Sequence, residues 1–513
     1  MRKRVFPLLV QSILLLLSCN DMKTDEHSFP QKQNLTRTQG DGQYETLGYG
    51  YDITGEYLDF YSIKKPVVDI DAFIQNHPSK YHNPFIGKIS SSVYAGEDFK
   101  SYMRAIQEAT EYNFSLNFTS ISKDDNKSEQ NAAFGGGTKS ERSSSYEYSS
   151  KYSFARVDII KRHKQYEIDA SPEELSHFLT ADFAHDLDNL PASDIIKKYG
   201  THVLLNIEAG GIYTFFYKSQ IIHEKSNAKK SSTVSAGIKG LIQKFGINIG
   251  GTSSSTEETQ LESNNIAWEC QIESNGGSRN GLSLSFTSQT SIPNTSINID
   301  NWAASVDDTH SVLVKINWDN AFPIYDFILD PQKKASIQHA VKEHLEEATV
   351  SILEVVPLYR IDRSDTRNTY NVYGDEELYY LLNVEKDHAK RKYDGLVGYV
   401  LKNAVDEFCE PLYSIDNSRY NNTFTIMGDS ELHYYLHVLH GFKDRKLDGQ
   451  TGYAYRDKRP HTELMYRIDN SKFHNTFSVV GEDEKNYYLY QLNGYQNRSL
   501  DGTTGYIYPP TFN

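Results

Sequence analysis

The chain reads as an α+β module followed by an all-β domain built three times over. Two observations predict this. Short motifs recur at a near-constant step through the last third of the sequence, and residues 47–353 mix capped helical stretches with long alternating strands.

The repeat is the firmer of the two. "LYRID" at 358 returns as "LYSID" at 412 and "MYRID" at 465; "NTY" at 368 returns as "NTF" at 422 and 475; "DGLVGY" at 394 returns as "DGQTGY" at 448 and "DGTTGY" at 501. Each series steps by 54 and then 53 residues, so three units are expected at about 356–408, 410–462 and 463–513. Alternating aromatic or β-branched residues punctuated by Gly-Asp and Asp-Gly predict roughly four short strands per unit. Three units should close around a pseudo-threefold axis as a β-trefoil-like or β-prism-like body. The central pairs Tyr379-Tyr380, Tyr434-Tyr435 and Tyr487-Tyr488 are candidate surface sites for a glycan or protein receptor. Packing in the threefold core competes with that reading for any single tyrosine. The acidic runs Asp375-Glu376-Glu377, Asp429 with Glu431, and Glu482-Asp483-Glu484 could supply paired carboxylates to a glycan hydrolase. Exposed acidic turns explain them better.

The start, "MRKRVFPLLVQSILLLLSCN", places three basic residues before an apolar run too short to span a bilayer, the pattern of a secretory signal over 1–18. Its end resembles a bacterial lipobox, which makes Cys19 the lipidated residue and implies an exported lipoprotein at the outer membrane or cell surface, possible release included. Residues 19–46 are polar and predict a disordered tether. Asp21, Asp25 and Glu26 resemble the surface-export signal of Bacteroides-like lipoproteins.

Removing the signal leaves 50 basic against 68 acidic residues, a balance of −18 from the −15 of the whole chain. That argues against nucleic acid as a partner and against attachment to acidic lipid by bulk charge. No later segment is long and apolar enough for a spanning helix. Cys270 and Cys409 lie far apart and predict free buried thiols. No His-Glu-x-x-His, Cys-His zinc spacing or Gly-x-Ser-x-Gly elbow occurs, so no catalytic residue, metal or cofactor is expected.

Within 47–353, "ASPEELSHFLTADFAHDLDNLP" offers Ser171 as N-cap, Pro172 at the first helical position and Glu174 closing a capping box. "SDIIKKY" predicts a short helix from Ser193 to Gly200. "YSFARVDII" (152–160) and "HVLLNIEAGGIYTFFY" (202–217) alternate as strands, and a helix behind Asp330-Pro331 should end the module. Between the short helix and the second strand stands "KKYGTHVLLNIEAGG". Tyr199-Gly200-Thr201-His202, seven residues and then Gly210-Gly211 resemble the signature of the membrane attack complex/perforin (MACPF) superfamily. Val203 departs from it where an aromatic is usual. "NWAASVDDTHSVLVKINWDNAFPIYDFI" (301–328) resembles the family's closing stretch. The whole is similar to Bacteroides-type MACPF lipoprotein toxins with a C-terminal triplicated β domain.

The resemblance implies a bent four-stranded antiparallel sheet of the MACPF/CDC-like kind, flanked by helical clusters that unfurl into membrane-crossing β-hairpins when subunits assemble. It implies an antimicrobial pore-former whose partners are a target membrane, a surface receptor and further copies of itself. A non-lytic adhesive lipoprotein is the alternative. A segment that switches should carry both periodicities, and "VSAGIKGLIQKFGINI" (234–249) does. As a helix, Ile238, Leu241, Ile242, Phe245 and Ile249 share a stripe; as a strand, Val234, Ala236, Ile238 and Ile242 alternate, then Phe245, Ile247 and Ile249 in the other register. In the first cluster, near 113–153, Phe114, Leu116 and Phe118 alternate, but the Ser- and Gly-rich stretch behind them gives a thin apolar row. By the same resemblance Thr201 and His202 sit at the sheet's bend and pin neighbouring backbone, while Gly210-Gly211 frees the backbone at a kink that must straighten. Gly276-Gly277 is a similar candidate hinge.

Overall fold

A computed structural model of the chain describes residues 43–55, 57–110, 118–120, 150–221, 227–249, 265–289, 296–348 and 350–510. The first module runs β1 (Tyr49–Tyr51), β2 (Ile63–Pro66), α1 (Ile70–Asn76), β3 (Tyr81–His82), β4 (Ile89–Gly96), α2 (Phe99–Thr110), β5 (Phe118–Ser120) and the long β6 (Tyr152–Ile168). Helices α3 (Pro172–Leu175), α4 (Ala181–Asn189) and α5 (Ala192–Tyr199) return the chain to β7 (His202–Leu204) and the second long strand, β8 (Asn206–Ile221). Then come α6 (Asn227–Lys244), β9 (Asn265–Asn275), β10 (Leu282–Thr287), α7 (Ile299–Ala304), β11 (Val312–Ile316), β12 (Ala321–Pro323), α8 (Pro331–Glu347) and β13 (Val350–Ile352).

β6 and β8 pair antiparallel along nearly their whole lengths. Beyond residue 161 the neighbours change. In the upper half β4 flanks β6 and β9 flanks β8, with β10 outside β9; in the lower half β3 flanks β6 and β11 flanks β8. The register slips between Arg162 and Lys164, opposite Gly210 and Ala209, and this bulge divides the halves. Four strands (β4, β6, β8, β9) form the upper sheet's core, and seven belong to the sheet in all. A separate small sheet, ordered β12-β7-β1-β2, lies beside the lower half.

The centre of the upper sheet is covered on both faces, so β6 and β8 read as nearly continuous buried runs along their paired upper halves. Ala155, Val157 and Ile159 with Tyr213, Phe215 and Tyr217 pack under α6. Phe154 meets Phe99 and Tyr102 of α2 on the other face, with ring centroids 5.6 and 6.1 Å away.

Several local expectations need correction. Ser171 does cap α3, accepting from the Glu174 N–H, but the Glu174 carboxylate binds Lys80 at 2.6 Å instead of closing the box. The supposed tether does not extend to 46: Glu45 and Thr46 are buried, and the Tyr44 ring meets Tyr81 edge-on at 5.4 Å. Cys270 is buried and free, whereas Cys409 is free and only half-buried.

In the C-terminal domain each repeat holds three strands and a helix, not four strands. The first has β14 (Val355–Arg363), β15 (Asn368–Tyr373), α9 (Gly374–Asn383) and β16 (Arg391–Leu401). The second has β17 (Cys409–Asn417), β18 (Asn422–Met427), α10 (Asp429–His433) and β19 (Arg445–Tyr455); the third has β20 (Glu463–Asn470), β21 (Asn475–Val480), α11 (Gly481–Asn486) and β22 (Arg498–Ile507). Each three-stranded face joins the next where β16, β19 and β22 touch near their ends, and the Tyr399–Tyr508 bridge closes the ring. Leu358, Leu412 and Met465 fill the centre, and Asn371 bonds Thr425 and Ser478 across it at 2.9 and 2.8 Å.

The Gly-Asp motifs start helices rather than turns. Gly374, Gly428 and Gly481 take φ of 81, 83 and 82°, a conformation that costs a residue with a Cβ about 1 kcal/mol or more. The acidic runs are first turns of helices, where the helix dipole favours negative charge, and not exposed turns. The Asp-Gly pairs lie inside β16, β19 and β22, at register shifts that aim Asp394, Asp448 and Asp501 toward the preceding strands.

Two of these aspartates hold a buried arginine. Arg360 binds Asp394 of its own repeat and reaches Glu484 at 3.2 Å, the Ser478 carbonyl at 2.9 Å and the Tyr488 hydroxyl at 3.1 Å in the third. Arg467 binds Asp501 at 2.9 Å and Glu431 of the second repeat at 2.7 Å. The equivalent position in the second repeat is Ser414, whose hydroxyl donates to Asp448 at 3.3 Å. Two of the three junctions are therefore clamped by a guanidinium and one is not. Removing one partner strands buried charge, so Arg360→Ala or Arg467→Ala should destabilise the C-terminal domain by about 3–5 kcal/mol and Ser414→Ala by less than about 1 kcal/mol. Urea unfolding followed through tyrosine fluorescence measures the difference.

Candidate functional site

The signature residues occupy two places. Tyr199 ends α5 fully buried, its hydroxyl donating to Asp186 at 2.7 Å and its ring meeting Phe183 at 4.8 Å. Gly200, at φ 75°, passes so close to β1 that a Cβ would lie 2.6 Å from the Tyr51 carbonyl carbon. The Thr201 hydroxyl donates to the Tyr51 carbonyl at 3.1 Å and accepts the Ile53 N–H at 3.2 Å. His202 Nδ1 lies 3.1 Å from the Thr201 hydroxyl oxygen. Thr201 and His202 therefore pin the small sheet through β1 and β7, not the bend of the large one. Burial pushes the His202 pKa down to about 4, against the pull of Asp326 and Asp52. Among the described residues no cluster of three or more His, Cys, Asp or Glu side chains is placed to hold a metal.

The bend belongs to Gly210. Its φ is not positive, and what it supplies is space, not backbone freedom: a Cβ there would sit 1.9 Å from the Lys161 carbonyl oxygen. Gly211 makes room for Trp302, whose ring would lie 2.7 Å from a Cβ. Trp302 is the residue that the sequence reading passed over. Its Nε1 donates to the Gly276 carbonyl at 3.0 Å, and its ring stands edge-on to Tyr213 at 4.9 Å. Gly276 and Gly277 have φ of 78 and 65°; Gly276 closes against Gly210 and Gly211, and Gly277 lies against the Trp302 ring, so both glycine pairs meet at one indole.

Helix α6 covers the upper sheet next to this junction. Val234, Ile238, Leu241 and Ile242 of the helix, with Phe245 just past its end, are buried against it, which stabilises the docked segment by roughly 10 kcal/mol in sum. Ala236 is half-buried. The helix ends at Lys244, so Phe245, Ile247 and Ile249 lie beyond it and the helical stripe is shorter than its sequence suggests. Gly237 has a packing reason: a Cβ would be 2.6 Å from the Asn265 side chain, whose amide donates to the Thr233 carbonyl at 2.9 Å. Phe114, Leu116 and Cys19 lie outside the described residues, as does most of the first cluster; Phe118 opens β5, which pairs in parallel with β13.

The tyrosine pairs lie on the helical segments of the repeats, and the repeat step resolves them differently from their spelling. Tyr380, Tyr434 and Tyr487 are equivalent and exposed, at 52, 46 and 45%. Tyr435 and Tyr488 turn inward against Phe424 and Phe477, with centroids 5.1 and 5.0 Å away, and Leu381 takes their place in the first repeat. Tyr379 matches His433 and Asn486 and has no aromatic equivalent.

Two outcomes follow from this geometry. Gly210→Ala must displace strand backbone and should cost about 2–3 kcal/mol, whereas Gly211→Ala meets movable side chains and should cost about 1 kcal/mol; chemical denaturation of each variant checks the order. The folded His202 pKa lies below its unfolded value, so the unfolded chain binds the proton first. Stability is then full above pH ~6.5, falls between pH ~6.5 and about 4, and flattens below; discounted for partial exposure, the loss is about 2 kcal/mol. Asp52, held well below the carboxylate range by His344 and Thr54 against the effect of burial, titrates beneath that window. His202→Gln should remove the slope from denaturation midpoints measured across it.

The MAC/Perforin domain family model matches residues 36–354. No curated protein matches the chain. Among solved structures, a MAC/Perforin-domain protein from Bacteroides thetaiotaomicron is similar at 17% identity over 79% of this chain and 75% of that one, with a TM-score of 0.44. GNIP1Aa from Chromobacterium piscinae follows at 15% identity over 63% and 61%, with a TM-score of 0.39. Pneumolysin shares 11% over 59% and 55%, with a TM-score of 0.23. The assignment rests on the family model, which spans more than half of the sequence: this chain belongs to the MAC/Perforin family.

Proposed function

We propose that the protein is an exported lipoprotein, acylated at Cys19, that binds a neighbouring bacterial cell, assembles through its sheet edges and inserts β-hairpins into the target membrane. The observation that carries this is topological. Residues 97–151 are inserted between the paired strands β4 and β6, and residues 222–264 between the paired strands β8 and β9. Each insertion leaves one strand of an antiparallel pair and re-enters its neighbour, so it can lengthen into a hairpin while β4–β6 and β8–β9 keep their pairing; in the first insertion β5 must leave β13. Each arm of such a hairpin needs ~9–11 residues to cross a bilayer, and both insertions exceed two arms and a turn. Within the second, α6 carries a strand-like alternation and interior glycines at 237 and 240, each weakening a helix by ~1 kcal/mol. Target recognition falls to Tyr380, Tyr434 and Tyr487, aromatic faces repeated on three sides of the C-terminal domain.

A covalent lock tests the refolding. A Cβ on Gly237 would lie 2.6 Å from Asn265 Cγ, which brings Gly237→Cys and Asn265→Cys within disulfide reach. The doubly substituted protein should bind susceptible cells but release no dye until reductant is added, while the wild type releases dye at once. Binding without dye release by the wild type on every strain of a related-bacteria panel would favour the adhesive reading.

A further inference from the structure

The first C-terminal repeat touches the first module where the two insertions join the sheet. The Ser150 N–H, just before β6, donates to the Leu353 carbonyl at 3.1 Å. The Ser150 hydroxyl accepts the Val355 N–H at 2.9 Å and lies 2.8 Å from the Val355 carbonyl. At the end of β8 the Gln220 amide donates to the Tyr399 hydroxyl, and the Lys151 ammonium lies 5.5 Å from the centre of the Tyr399 ring. In the first turn of α6, Lys230 pairs with Asp375 of α9 at 2.8 Å, with side chains only 19% and 10% exposed. Asp375 also accepts the Tyr359 hydroxyl at 2.5 Å, which fixes it for the lysine.

The use of Asp375 is particular to this repeat. Its equivalents, Asp429 and Glu482, keep the matching tyrosine contact with Tyr413 and Tyr466. Among the described residues, the ion pair found for Glu482 is with Lys485 of its own repeat, and none is found for Asp429. One copy of a threefold feature thus reaches out of the domain, and it reaches the helix that covers the upper sheet.

We infer that the first repeat is a latch: it holds α6 in its helical, docked position and ties down the ends of β6 and β8, so that this repeat must shift before either strand can lengthen. The inference rests on the refolding reading and adds its control. Extending β6 backward needs the Ser150 backbone free to pair across to the strand continuing β8, and it is now committed to the connector at 353–355. Extending β8 forward needs α6 to leave the sheet, which breaks Lys230–Asp375. A force or ligand acting on the C-terminal domain is thereby coupled to the segment that inserts.

Hydrogen exchange in solution, on the full chain and without membrane, tests the latch directly. Lys230→Glu places two carboxylates face to face, yet a glutamate in a helix's first turn favours the helix itself. Any loss of protection in α6 then reports the lost contact. Exchange at amides 234–242 should accelerate about tenfold or more in Lys230→Glu, stay within twofold of wild type in the exposed-face control Lys239→Glu, and return to the wild-type rate in Lys230→Glu/Asp375→Lys. Tyr399→Phe, which removes one hydroxyl, should raise exchange at amides 219–221. Rates in Lys230→Glu within twofold of wild type would overturn the latch while leaving the pore reading intact. The absence of dye release on every target would sink the pore reading and leave the exchange result standing.

Discussion

Everything in the first module hangs on the pairing of β6 with β8. These two strands run through both halves of the large sheet and carry every other strand of it directly or through one neighbour. At the register shift in this pairing one residue on β6 is bulged and the facing residue on β8, Gly210, has no side chain. With the Lys161 carbonyl 1.9 Å from where a Cβ would stand, the constraint at Gly210 is steric and backbone-to-backbone, so no repacking of side chains relieves it. Trp302 then closes the junction from above, using the room left by Gly211 and the carbonyl of Gly276.

Helix α6 is subject to two opposed effects of unequal size. Burial of four side chains of α6 and of Phe245 just past its end holds the segment down by roughly 10 kcal/mol, while two interior glycines at ~1 kcal/mol each and a strand-compatible alternation leave the helix weak once undocked. An isolated helix of this composition has little reason to persist in water. The docked state is therefore kept by its neighbours, the sheet beneath it and the repeat beside it, more than by its own propensity.

The sequence made some of this legible and hid the rest for definable reasons. The triplication was plain because three unrelated motifs shared one step. The long strands are legible in part, at 152–160 and 202–217, because alternation has no helical counterpart, but β6 runs on to Ile168 through a polar stretch that carries no such signal. The helices of the repeats were misread as strands: an apolar run of five or six residues fits either period, and the deciding signal was the acidic first turn at Asp375-Glu376-Glu377. The tyrosine pairs were matched by spelling, where counting by the repeat step separates exposed Tyr380 from Tyr379. Glu45 and Thr46 looked like tether because their burial depends on tertiary contacts that composition does not carry. The signature marks Gly210, but the pattern alone does not distinguish flexibility from the need for room that the structure shows. Trp302 could have been found by asking what a pair of adjacent glycines on a buried strand was making space for.

The missing arginine at Ser414 has a meaning beyond stability. Glu377 still holds the place its counterparts hold, bound by the Tyr373 N–H at 3.0 Å just as Glu431 and Glu484 are bound by Met427 and Val480. A body made of three copies can lose a central element from one copy and keep its shape, because the other two and the closed ring still define where the strands must go. Such redundancy lets one repeat drift while its siblings hold the frame, and the first repeat, bordering the unclamped junction, is also the one whose aspartate was turned outward to the neighbouring helix. Threefold repetition thus lets one face carry the Lys230–Asp375 contact while the closed ring keeps its frame.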